Sequence, residues 1–80
     1  MSKLLAMKPR KLIRIFIRVG FYVHHQTGSH VQLRHEIKLH LRLTIPCHSR
    51  FDLPSSIIAS ILKQAELSRE EFVLMLGSEK

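Results

Sequence analysis

Cysteine is nearly absent from this chain: Cys47 stands alone among 80 residues. No internal disulfide can form, which excludes a disulfide-stapled secreted scaffold. Long apolar runs are missing too. Arg14 and Arg18 interrupt the greasiest stretch, so nothing approaches the ~20 apolar residues of a membrane span. With three glycines and three prolines there is neither a Gly-rich phosphate loop nor a low-complexity segment. Tryptophan is absent and tyrosine occurs once, as Tyr22, so no aromatic platform for stacking bases is in evidence. The sharpest deficit is in negative charge. Residues 1–50 hold ten Lys and Arg against a single acid, Glu36, a local net of +9.

What is present fits one small domain. Apolar residues make up 45% of the chain, an ordinary globular share that argues against disorder. A domain this short buries only ~60% of its unfolded surface, and its stability is correspondingly modest. Residues 51–80 reverse the charge, with three basic residues against five acids. A basic half in a protein of pI near 10.4 favours polyanionic partners, chiefly nucleic acid. The domain is expected over residues 7–77. Residues 1–6 read as a short extension, too short for a signal peptide, and Met7 is a second candidate initiator. A cytoplasmic location is expected.

Periodicity predicts an α+β order of helix, three antiparallel strands and two helices. Leu12, Ile13, Phe16, Ile17 and Val19 follow helical spacing, between a Pro9 suited to a first turn and a Gly20 suited to a C-terminal cap, so helix one spans about 8–19. Residues 21–26 alternate weakly. Residues 27–29 form a hairpin turn, in which Gly28 is expected to take a positive φ. Residues 31–35 form the second strand. Leu39, Leu41, Leu43 and Ile45 alternate with Lys38, His40, Arg42 and Thr44 in a third strand that Pro46 ends. A second helix opens at 52–54 and carries Ile57, Ile58, Ile61, Leu62 and Ala65. Ser68 and Glu71 form a capping box for a third helix that ends near Leu76, with Gly77 behind it.

That order puts the helices on one side of the sheet and leaves the other side wet. Val31, Leu33, Leu39, Leu41, Leu43 and Ile45 face the helices. His30, Gln32, Arg34, Lys38, His40, Arg42 and Thr44 therefore face outward. Any exposed sheet face is polar, but this one contains no acid, which points to phosphate. His30 stands at the root of the second strand, where an imidazole can exchange protons near neutral pH. The plainer reading of His30 is a turn residue capping a strand.

Several segments carry a family resemblance. They are Met7-Lys8-Pro9-Arg10, Gly20-Phe21, Gly28-Ser29-His30, Thr44-Ile45-Pro46-Cys47-His48, and the run from Ile61 to Phe72 containing Leu62-Lys63-Gln64-Ala65 and Ser68-Arg69-Glu70-Glu71. In this order they resemble the HicA family of toxin mRNA interferases, over about residues 7–76. The resemblance implies a double-stranded-RNA-binding-domain-like fold, ribosome-independent cleavage of mRNA, and neutralisation by a HicB-type antitoxin. It makes His30 the catalytic residue and Gly28 the turn glycine, with Ser29 between them. Where the family has a short Asp-Gly turn between its second and third strands, residues 36–40 stand here, and a longer hairpin or a different register is expected; a one-residue slip would turn His40 and Arg42 inward.

The chemistry can be argued from the residues alone. Metal-free RNA cleavage uses the substrate's 2′-hydroxyl as nucleophile. The protein must accept that proton, supply one to the leaving oxygen and steady the phosphorane. His30 is the base or the acid. Arg34, Arg42, Lys38 and Gln32 are candidates for holding RNA, arginine being the better bidentate phosphate ligand. His24, His40 and His48 are the available second proton-transfer groups, and the sequence does not choose among them. The six histidines raise the question of a metal, through His24-His25 and Cys47-His48. Neighbours on a regular strand point to opposite faces and no tetrahedral Cys/His spacing occurs, so no structural metal and no cofactor are expected. Cys47 lacks a base and acid array to act as a nucleophile. The alternative function is a catalytically silent RNA-binding module using the same face. A DNA-binding regulator is disfavoured, because the second and third helices are net acidic.

Overall fold

Pro9 decides where the chain first turns helical. In the computed structural model, which describes residues 6–47 and 52–78, Lys8 is extended and α1 runs Pro9–Arg18. Proline's fixed φ and missing N–H suit this first position. Pro9, Leu12, Ile15 and Phe16 are buried, while Ile17 and Val19 are exposed. The apolar stripe is thus set one step away from the expected 12, 13, 16, 17, 19 pattern. The cause is Pro9 itself, whose burial fixes a face through positions 9, 12 and 16 that brings in Ile15 instead of Ile17.

Gly20 closes the helix with φ 106°. Its N–H donates to the Ile17 carbonyl at 3.2 Å. A Cβ on Gly20 would lie 2.6 Å from His35 Nε2, so the position requires glycine twice over, for its dihedral and for space.

Three antiparallel strands follow, β1 (Phe21–Gln26), β2 (His30–His35) and β3 (Arg42–Pro46), in spatial order β1-β2-β3. At the β1–β2 turn the Thr27 N–H donates to the His30 carbonyl at 2.9 Å. Gly28 corrects an expectation: its φ is not positive, and a Cβ there would meet nothing within 4 Å. The turn closes through Thr27 instead, whose hydroxyl also donates to the His30 carbonyl.

The third strand is shorter than its alternation predicts. It starts at Arg42, opposite Arg34, and Leu39 is 74% exposed, not turned to the core. His35 overrides the pattern. Its Nδ1 accepts from the N–H groups of Ile37 and Lys38, at 3.1 and 2.9 Å, and the Leu41 N–H donates to the Lys38 carbonyl. These bonds bend residues 36–41 into a turn, so only Leu41 of the early alternation reaches the core. An Nδ1 that accepts twice is unprotonated, so the ring donates from Nε2 to the Val19 carbonyl, 3.0 Å away. One imidazole therefore ties the end of α1 to the β2–β3 turn. Phe21 packs edge-on against both His35 and Phe16.

Helix α2 (Ser55–Ala65) starts after Pro54 and ends at Glu66, which is left-handed at φ 58°. Leu67 N–H donates to the Leu62 carbonyl and Glu66 N–H to that of Lys63, the paired bonds of a Schellman ending. Helix α3 (Arg69–Ser78) opens on the expected capping box. Ser68 N–H donates to Glu71 Oε1 at 2.9 Å, and Glu71 N–H donates to Ser68 Oγ at 3.0 Å. The helix continues through Gly77. Helix α1 packs on β1 and β3, α2 on β3, and α3 on α2. The core between sheet and helices includes Phe16, Leu33, Leu43, Ile45, Ile58, Ile61 and Phe72, each 1% exposed or less. The molecule is α+β, with helices on one face of a three-stranded sheet. Among the described residues no helix is long and apolar enough to cross a membrane.

Candidate functional site

β2 is the central strand, and its alternation settles the two faces. Val31 and Leu33 are 4% and 0% exposed, against the helices, so His30, Gln32 and Arg34 point outward. Register carries the assignment to both neighbours. Arg34 lies between Tyr22 and Arg42, Gln32 between His25 and Thr44, and His30 beside Pro46. No Asp or Glu occupies an outward position on these strands.

Arg34 and Arg42 are directly opposed, an arrangement of like charges that is unfavourable on its own. A phosphate between the two guanidinium groups relieves the repulsion and matches their donor geometry. They line a shallow depression of about 230 Å³ together with Gln32 and Thr44. At the end of the face nearest the turn, Ser29 Oγ lies 3.1 Å from His30 Nδ1 and helps set the ring's orientation.

The other sequence-derived candidates fall elsewhere. Lys38 leaves the sheet with the 36–41 turn, and its charge reaches Glu71 at the start of α3. His40 leaves with it and pairs with Glu66, Nε2 to Oε2, at 3.1 Å. His48 lies outside the described residues. His24 remains on β1, exposed, but in an irregular position. The register jumps from Val23↔Leu33 to His25↔Gln32, so two residues oppose one in a β-bulge.

The bulge changes which β1 residues share the face. Strict alternation from Tyr22 would turn His24 outward and His25 inward. Instead Val23 and Gln26, three apart, both line a groove of about 810 Å³ beneath α1, on the helix side, and His25 comes to lie across from Gln32. Sequence reasoning missed His25 as an outward residue. β1 buries only Phe21, so no apolar alternation existed to report the switch.

The groove is itself cationic, with Lys8, Arg10, Lys11 and Arg14 along it and Cys47 at its wall. Burial raises the Cys47 thiol above its usual range, and the nearby Arg10 charge offsets part of that. Such a thiol stays protonated at neutral pH and is a poor nucleophile. Among the described residues no three His, Cys, Asp or Glu are grouped to hold a metal ion.

No curated protein matches the chain. Residues 9–67, from the first turn of α1 to just past α2, match a family model described as the HicA toxin of bacterial toxin-antitoxin.

Proposed function

The chain belongs to the HicA toxin family, and from that premise we propose that it is a metal-independent endoribonuclease cleaving mRNA in the cytoplasm. The observation that carries the reading is the outward sheet face. A histidine at a turn, His30, shares that face with Gln32 and the opposed Arg34 and Arg42, with no acid among them.

The arrangement can serve phosphodiester transfer. RNA backbone seats on Arg34 and Arg42, which stabilise charge developing on the phosphoryl oxygens. His30 exchanges the proton of the 2′-hydroxyl or of the leaving 5′-oxygen, with Ser29 steadying its ring. Gln32 supplies an amide beside them. Phosphate contact without an aromatic platform gives low sequence preference. A HicB-type antitoxin would neutralise the protein by covering His30 and its cationic surroundings with an acidic surface.

The test is cleavage of an unstructured RNA by the purified protein in EDTA, beside His30→Ala and beside an all-deoxy copy of the substrate. RNA should be cut and the deoxy strand spared. His30→Ala should lower the rate by about 10²–10⁴-fold while binding survives. Tight binding with no products from the unaltered protein would overturn the proposal and leave a silent RNA-binding module.

A further inference from the structure

We infer that His25 is the second proton-transfer group of this face, acting with His30 on the same phosphate. The inference rests on the ribonuclease reading above and supplies the partner that reading lacks. It follows from the β1 bulge. With His24 as the extra residue, His25 lies opposite Gln32, and Gln32 is two positions along β2 from His30 on the same face. His25 and His30 are thus diagonal neighbours on adjacent strands, a relation that sets side-chain origins about 7–8 Å apart. Two imidazoles so placed are within reach of a common point between the strands, and each can bond one group lying there through a hydrogen bond of about 2.8 Å.

Both rings are exposed, so a polymer lying across the face reaches both. His40 is held by Glu66 in the β2–β3 turn, the length of β2 away from His30. The charged and titratable groups around His25 are His30 and Arg34 on β2, Arg42 beyond them on β3, and Tyr22 and His24 on its own strand. None is acidic. The field there is cationic and draws phosphate.

The step balances without a co-reactant. The 2′-oxygen forms a bond to phosphorus as the bond from phosphorus to the 5′-oxygen breaks. One imidazole takes the 2′ proton and the other, protonated, gives its proton to the departing 5′-oxygen. The products are a 2′,3′-cyclic phosphate and a 5′-hydroxyl. An acid and a base of this kind produce a bell-shaped dependence of rate on pH.

The experiment measures single-turnover cleavage of single-stranded RNA in EDTA from pH 5 to 9, with the full chain and with His25→Gln, His25→Asn and His24→Gln. Circular dichroism confirms folding, and binding is read on the all-deoxy strand. The unaltered protein should give a bell. Both His25 variants should cut about 10²–10⁴-fold more slowly, lose one limb of the bell and bind as before, while His24→Gln keeps both limbs. An unchanged rate, a slower rate with the bell intact, or loss of a limb in His24→Gln instead would overturn the role of His25. Absence of cyclic-phosphate product from the unaltered protein would overturn the ribonuclease reading itself, a result visible before any variant is compared.

Discussion

Gly20 and Gly28 look alike in the sequence and make opposite demands. At Gly20 an alanine would have to adopt φ 106° with its Cβ 2.6 Å from His35 Nε2. Gly20→Ala should therefore cost at least ~1–3 kcal/mol, a fall in Tm on the order of 10 °C for a domain of this size. Thermal unfolding by circular dichroism checks it; a Tm within a degree or two would show that His35 can yield. Gly28→Ala meets open space at a φ that is not positive, and its stability should stay within about 0.5 kcal/mol. The contrast gives Gly28 a use. If Gly28→Ala slows RNA cleavage at unchanged Tm, that glycine matters because a backbone or substrate must pass close to it.

At the scale of elements, α3 is the clearest case of a local signal honoured. Its capping box is complete, and the Glu71 carboxyl is held below the usual carboxylate range. The chief cause is the Ser68 backbone N–H, then the Ser68 hydroxyl, with the Lys38 charge assisting. A depressed native value means that this carboxylate's contribution to stability is present above its unfolded value, about 4.3, and is lost as pH falls through the lower native one. Denaturant midpoints measured from pH 6 down to pH 2 should fall less steeply in Glu71→Gln than in the parent. Equal slopes would mean that the cap persists in the unfolded ensemble. The capping box was legible because both its partners lie three residues apart. The outward set His30, Gln32 and Arg34 was legible because Val31 and Leu33 alternate with it and are buried. The third strand misled because Leu39 continues the alternation of Leu41 and Leu43, yet His35 captures two N–H groups just before it and bends the chain away. That bond set depends on a ring brought near by α1 and Gly20, so no local pattern announces it. His25 was hidden for a different reason: a strand that buries one residue of six carries no apolar record of its register.

For the whole molecule, charge is the property that acts at a distance. Cations lie on both sides of the β1–β2 hairpin, Arg34 and Arg42 outward and Lys8, Arg10, Lys11 and Arg14 along the groove under α1. RNA affinity should fall steeply with salt, and Arg34→Ala should reduce the slope of log K against log salt by about 0.7 if it neutralises one single-strand phosphate. The groove-side counterpart, Lys11→Ala, should leave that slope unchanged if RNA lies only on the open face, so titrations of the two variants locate the strand. β1 has one further consequence for how molecules meet. It is an outer strand, and outer strands present backbone donors and acceptors that invite a second copy to extend the sheet. The doubled residue at His24 interrupts that row midway along the strand, so an incoming strand falls out of step after three residues. The irregularity that brings His25 round to the open sheet face should therefore also weaken pairing between copies along this edge.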